Sequence, residues 1–365
     1  MSDVNPCVSE DIWTEILKKL PVKTLGKCRC VCKSRHSLII SPSFMSAHHK
    51  YYTENDANSL LLFREIGQSR IMLWNPMFRK YINLPMSSTV SGSTDIGNST
   101  SVLDFGYDCK KNDHSVVKIT YSNAVKKTLI EVYSVQQRTW KTISSEFLVD
   151  HSINCVSFSN CFFNGVIHWL TLNSRLNSIL KKWLFLFNVA EETFDKLELP
   201  EDIGSLSTSG NDFGVFDYGN KLAVSCCNLS WHGLISGRCR IWVKKEDDAG
   251  NCWCRILDVV LYGCLHIGSV QYLTRTGELL GFAKESDYML TLFDPVTRRS
   301  TNLGLRQHVS TKFCNYTDSL VLLDQETEVY TEEELQRLID DRRRRRIDFA
   351  SLLRDLSEED CLALE

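Results

Sequence analysis

The sequence predicts an α+β chain in three parts: a helical head over residues 9–49, a repeated all-β body over 59–324 and a charged helical tail over 325–365. Two periodicities and one charge pattern carry this division. In the head, apolar residues recur at helical spacing. In the body, short runs of β-branched and aromatic residues are broken by Gly, Asn and Asp, the signature of many strands. In the tail, acids and arginines sit four apart.

Ser9 stands where a helix cap belongs, and Glu10 and Asp11 lie at the positive end of the helix dipole. Ile12, Trp13, Ile16, Leu17 and Leu20 form the apolar stripe of this first helix, and Pro21 stops it. A second helix is predicted from the Pro21-Val22 turn, with Leu25, Cys28, Val31 and Cys32 on one face. Leu38, Ile39 and Ile40 make a third, which Pro42 closes. Three helices this short cannot bury a sufficient core by themselves. Their apolar surface therefore needs a cover, either a partner protein or the domain that comes next in the chain, and pattern alone leaves both open.

The body repeats one motif five times. Leu73-Trp74-Asn75-Pro76 with Tyr81 and Leu84-Pro85, Val132-Tyr133-Ser134-Val135 with Thr139-Trp140, and Phe187-Asn188-Val189 with Thr193-Phe194 and Leu199-Pro200 are alike. So are Ile241-Trp242-Val243 with Trp253, and Leu292-Phe293-Asp294-Pro295 with Thr297. Ahead of three copies stand hairpin signals: Phe162 to Trp169 around Asn164-Gly165, Phe216 to Val224 around Gly219-Asn220, and Tyr272 to Leu280 around Gly277. A unit of this kind buries its faces only by stacking on its neighbours, and a period of about 50 to 60 residues predicts a propeller-like body. The recurring aromatics are read as packing pegs between sheets, with a ligand site as the other reading, and His168 beside Trp169 as a buried histidine.

In the tail, Thr331 with Glu334 forms a capping box, Leu335, Leu338 and Ile339 give an apolar stripe, and Glu333 to Arg337, Asp340 to Arg344 and Asp341 to Arg345 are four-apart ion pairs. A charged helix is predicted there. Arg342 to Arg346 reads either as a solvated helix face or as a nuclear-import signal, and Ile347, Phe349, Leu352, Leu353 and Leu356 form a second apolar set.

Composition narrows the function. A formal charge of -3 gives no general field for nucleic acid or an anionic membrane, and the longest apolar runs fall far short of a bilayer span. Met1 to Glu10 lacks the pattern of a secretory signal, so the 15 cysteines are expected to stay reduced and mostly to pack as small hydrophobes. Neither Cys28-Cys30-Cys32 nor Cys252-Cys254 has a second ligand pair at zinc spacing. No His-Glu-x-x-His, Gly-x-Ser-x-Gly, phosphate loop or dinucleotide fingerprint is present, so no catalytic residue, metal or cofactor is assigned.

The run Ser9-Glu10-Asp11-Ile12, Glu15-Ile16-Leu17, Leu20 to Leu25, Arg29 to Ser34 and Ser41-Pro42-Ser43-Phe44 closely resembles the F-box of plant F-box proteins. Trp74-Asn75-Pro76, Phe105-Gly106-Tyr107-Asp108, Val116 to Ile119, Ile130 to Ser134, Asn164 to Trp169 and Ile241 to Lys244 resemble the F-box-associated domain of the S-locus F-box and F-box/kelch-like groups. The resemblance departs at Val8-Ser9, where Leu-Pro is usual, at Arg35, where Trp is usual, and before Trp74, where Leu60 to Leu73 leave the first blade short of strands. It implies docking on a Skp-type adaptor, and through it on a cullin ligase. The implied adaptor-binding set is Ile16, Leu17, Leu20, Pro21, Leu25, Val31, Cys32 and Lys33.

The same resemblance implies a non-catalytic substrate receptor of an SCF-type ubiquitin ligase, in the cytoplasm or nucleus, recruiting an unknown protein for ubiquitination. The alternative is an interaction scaffold without ubiquitin transfer. Specificity is expected in the variable loops Met86 to Ser101, Glu201 to Asn211 and Asn228 to Gly237.

Overall fold

The computed structural model describes residues 9–52, 60–64, 71–87, 99–122, 127–144, 156–171, 183–204, 211–228, 236–245, 252–262, 267–283, 289–306, 316, 318–321 and 328–329. The predicted tail helix with its Arg342 to Arg346 run lies outside these residues, as do most of the loops expected to carry specificity.

The head holds four helices where the sequence predicts three: α1 (Glu10–Leu17), α2 (Val22–Cys28), α3 (Lys33–Ile40) and α4 (Pro42–Tyr52). Pro42 opens a helix instead of closing the segment. Ser41 accepts a bond from the Phe44 backbone N–H on its hydroxyl at 3.2 Å, and a proline at the first helical position loses only an N–H that would have had no partner. Ser9 is the N-cap of α1 by position, but the bonds from Ile12 and Trp13 N–H go to its backbone carbonyl, and its hydroxyl makes no capping bond. The second helix also ends earlier than predicted. Cys28 closes α2, Cys30 lies in the turn and Cys32 is the N-cap of α3, so the three thiols sit on no common helix.

The body is a five-bladed β-propeller. The first blade contains β1 (Leu61–Arg64), β2 (Ile71–Asn75) and β3 (Lys80–Leu84). The second runs through β4 (Ser99–Asp108), β5 (Asp113–Ser122), β6 (Lys127–Ser134) and β7 (Thr139–Ile143). The third comprises β8 (Val156–Phe163), β9 (Val166–Thr171), β10 (Trp183–Asn188) and β11 (Thr193–Glu198), and a short helix, α5 (Glu201–Gly204), comes after it. The fourth is β12 (Asn211–Asp217), β13 (Leu222–Asn228), β14 (Ser236–Lys244) and β15 (Trp253–Tyr262). The fifth is β16 (Ile267–Leu273), β17 (Leu279–Ala283), β18 (Met289–Asp294) and β19 (Arg299–Arg306). All strand pairs within the blades are antiparallel.

The five sequence copies are the last hairpins of the blades. In register, Trp74 faces Tyr81, Tyr133 faces Trp140 and Phe187 faces Phe194. Three of the five turns share one chemistry: the side-chain oxygens of Asn75, Asn188 and Asp294 accept the backbone N–H two residues on, at 2.9, 3.1 and 2.8 Å. Four residues after each, Arg79, Glu192 and Arg298 take the left-handed conformation at φ of 51, 57 and 57°. The aromatics pack between neighbouring blades. Phe162, Ile167, Trp169 and Phe187 of the third blade meet Val117, Ile119, Ile130 and Val132 of the second. His168, 6% exposed, bonds through Nδ1 to the Cys161 carbonyl at 3.3 Å, and burial lowers its pKa to about 4.

The first blade receives chain from the far end of the sequence. β20 (Glu328–Val329) pairs with β3, Glu328 opposite Tyr81 and Val329 opposite Lys80. Buried Asn75 donates its side-chain amide to the carbonyls of Ser319 at 3.0 Å and Val321 at 2.7 Å. The strands that Leu60 to Leu73 do not supply are thus offset from the C-terminal side. The sheet consequently reaches past Asp324, into residues read from sequence as tail.

Candidate functional site

The head presents a ridge and conceals a core. Ile12, Ile16 and Val31 are 52%, 48% and 63% exposed, and Pro21, Cys32 and Lys33 beside them are also exposed. Leu17, Val22, Leu25, Ile39 and Phe44 are buried together with Leu320 of the C-terminal segment, and Met77 and Phe78 of the β2–β3 turn pack on the same cluster. Of the eight residues singled out from sequence, five are therefore on the open surface: Ile16, Pro21, Val31, Cys32 and Lys33. Leu20 is half-buried at the edge of the cluster, while Leu17 and Leu25 hold the head to the body.

The head's apolar residues thus divide between a face packed on the body and a face exposed among the described residues. One face is covered by the body, because three or four short helices cannot close a core alone. The other, with Ile12, Ile16 and Val31, is exposed among the described residues.

The fourth helix, absent from the sequence reading, shapes this surface. His48 donates its Nε2 hydrogen to the Leu20 carbonyl at 3.0 Å, and Tyr52 donates its hydroxyl to the Lys19 carbonyl at 2.6 Å. These bonds fix the turn that presents Pro21. Burial lowers the pKa of His48, against the opposing pull of the Leu20 carbonyl, so the ring is a neutral donor at neutral pH. The Phe44, His48, Tyr52 spacing, four apart from a Ser-Pro start, is the signal from which this helix could have been found.

His49, one residue on, faces the body. Its ring lies 4.3 Å from Tyr107 and 6.1 Å from His114, both on the second blade. Burial lowers the pKa of His49 to about 4 and that of His114 to about 3, each further depressed by a neighbouring histidine, and burial raises that of Tyr107. The three rings at this contact are therefore uncharged near neutral pH, the form that burial favours.

Arg35 packs on the head itself. Its guanidinium lies over the Trp13 ring at 4.2 Å from the centroid, a cation–π contact. Among the described residues, no group of three or more His, Cys, Asp or Glu is placed to hold a metal, and no helix is long and apolar enough to cross a membrane.

Comparison with known proteins decides what this head and body are. The F-box domain profile matches residues 6–46, and the profile of the F-box associated beta propeller domain matches residues 27–329, most of the chain. The chain belongs to the F-box-associated β-propeller family. An F-box/kelch-repeat protein of Arabidopsis thaliana is 23% identical to it, over 68% of this chain and 78% of that one. Another Arabidopsis thaliana chain named as an F-box protein is 23% identical over 87% of this chain and 100% of its own length, and F-box protein CPR1 of the same plant is 22% identical over 68% and 72%.

Solved structures add little to this. An oligogalacturonate lyase in complex with manganese aligns at a TM-score of 0.37 and 8% identity over 69% of this chain, and a Dos1 propeller at 0.31 and 10% over 68%. The F-box protein spans 62% and 55% of those two chains, and at such scores the likeness carries no argument about activity.

Proposed function

We propose that this F-box protein is the substrate-recognition subunit of an SCF-type ubiquitin ligase, docking on a Skp-type adaptor and through it on a cullin. The exposed ridge of Ile12, Ile16, Pro21, Val31, Cys32 and Lys33 supports this reading, because it is apolar, rigid and uncovered on a domain of the F-box family. Leu17 and Leu25 contribute by packing, and Leu20 by setting the ridge edge.

In this reading the subunit acts by position. The propeller holds a target protein while the head holds the ligase, and the packed seam of Met77, Phe78, Leu320 and His49 keeps the two in fixed relation. Ubiquitin transfer is then accelerated by the effective concentration of the target's lysine near the charged conjugating enzyme, without a reacting group from this chain. Such an assembly works in the cytoplasm or nucleus, where the ligase subunits are.

The test is reconstitution with purified adaptor, cullin and catalytic subunit. Stable co-elution with the adaptor, lost in Val31→Asp, together with ubiquitin transfer to a captured target, is the expected result. Binding without transfer would instead establish the scaffold reading, and absence of binding, unrestored by Arg35→Trp, would exclude docking altogether.

A further inference from the structure

We propose that residues 347–365 of this chain fold back onto the exposed ridge of the head and compete with the adaptor for it. The inference rests on the docking reading for its consequence, though not for the contact itself. Two observations on the described residues, joined to the length and sequence of the segment beyond them, lead to it.

The first is the charge of the head. Residues 9–52 carry eight lysines and arginines against three acids, whereas the whole chain is net -3. Lys23, Lys27 and Lys33 are exposed around Pro21 and Val31, and none enters an ion pair among the described residues. A cover for this surface should be apolar and acidic.

The second is where the chain leaves the body. Val329 pairs with Lys80, the residue directly after the β2–β3 turn, and Met77 and Phe78 of that turn pack into the head's core. Val329, the last described residue, therefore stands against the strand that leads out of a turn packed on the head. To these the segment's length adds reach: residues 330–346 would span roughly 25 Å even if wholly helical and roughly 55 Å if extended. The head's helices, 7 to 11 residues long, measure only about 10 to 17 Å by the same rise.

The sequence at that distance matches the surface. Residues 347–365 hold six acids, Asp348, Asp355, Glu358, Glu359, Asp360 and Glu365, against the single Arg354, interleaved with Phe349, Leu352, Leu353 and Leu356. Arg342 to Arg346 precede this stretch, so the like charge stays on the spacer and the opposite charge arrives at the ridge. Tethering supplies an effective concentration of about 1 mM, and a modest intrinsic Kd of about 0.1 mM then weakens adaptor binding about tenfold.

Zero-length carbodiimide cross-linking of the full chain, read by mass spectrometry, tests the contact without the adaptor. Cross-links from Lys23, Lys27 or Lys33 to Asp355, Glu358, Glu359 or Asp360 are expected, diminishing in high salt and on adding adaptor. Truncation after Arg346, and Glu358→Lys with Glu359→Lys and Asp360→Lys, should each tighten adaptor binding about tenfold, by the same tether arithmetic. Absent cross-links with equal adaptor affinity in both forms overturn the proposal and leave the docking reading standing. Cross-links found only between isotopically distinct copies overturn it in favour of a second molecule. Intrachain cross-links with no adaptor binding by either form support the fold-back and overturn the docking reading instead.

Discussion

Replacing Leu320 by Ala tests whether head and body share one core. Leu320 is 3% exposed and lies among Leu17, Val22, Leu25, Ile39 and Phe44, although nearly 300 residues of chain separate it from them. The substitution removes roughly three buried carbon groups at about 0.8 kcal/mol each. Adding the cavity left between helices that cannot fully collapse brings the cost to about 3 kcal/mol, at the lower end of what such truncations produce. That cost should fall locally, since the third and fourth blades pack in their own clusters. Native-state hydrogen exchange read by mass spectrometry should show opening of α1, α2 and α4 favoured about a hundredfold, with third-blade peptides unchanged. Val31→Ala, at a 63% exposed position, should shift the same peptides by less than about 0.5 kcal/mol. If head protection in Leu320→Ala stayed within about 0.5 kcal/mol of the parent, the shared core would be refuted.

The geometry supports three further outcomes. A Cβ on Gly214 would stand 2.4 Å from the Val270 backbone oxygen of the adjoining blade, so Gly214→Ala should lower the urea-unfolding free energy by about 1 to 3 kcal/mol; no loss would mean the blades sit further apart. Lys118 lies 3.2 Å from buried Glu131, and Lys118→Met should cost about 3 to 5 kcal/mol, most of it recovered when Glu131→Leu is added; an uncoupled double mutant would contradict the pairing. The pH dependence comes from His49, His114 and His168, held neutral with folded pKa values of about 4, 3 and 4, and His48, whose pKa burial also lowers, adds in the same direction. Below pH 6.5 the unfolded chain binds protons that the folded chain does not, so stability is full above that pH and falls as the medium is acidified toward 4, by about 1.4 kcal/mol per unit per histidine. Denaturation midpoints should show this slope shrinking in His114→Gln, and an equal slope in that variant would place the titration elsewhere.

The five blades were legible because a hairpin repeat is a local pattern. Asn75, Asn188 and Asp294 each start a turn whose chemistry is complete within five residues, and the aromatics opposite them lie on adjacent strands. What stayed hidden is what depends on distant chain. Nothing near Leu60 to Leu73 announces that Ser319, Val321 and Glu328 return to that blade, or that Leu320 completes the head. For the same reason Leu17 and Leu25 could not be told from Ile16 and Val31: all four lie on apolar stripes, and only the body's position decides which stripe is covered. The reason for glycine at 106 and 214 was hidden too. Each comes after a phenylalanine in an inner strand and is needed because a neighbouring blade comes too close for a Cβ, not because a turn requires it.

The proposed role stands or falls with adaptor binding at the exposed ridge of the head. Calorimetric titration of purified adaptor into the full chain, beside Ile16→Asp and Val31→Asp variants with unchanged unfolding midpoints, tests it most directly. Saturable one-to-one binding is expected, weakened at least about a hundredfold by each aspartate, the effect of placing an unpaired charge in a desolvated contact. Binding that persists at parental affinity in both variants would contradict it.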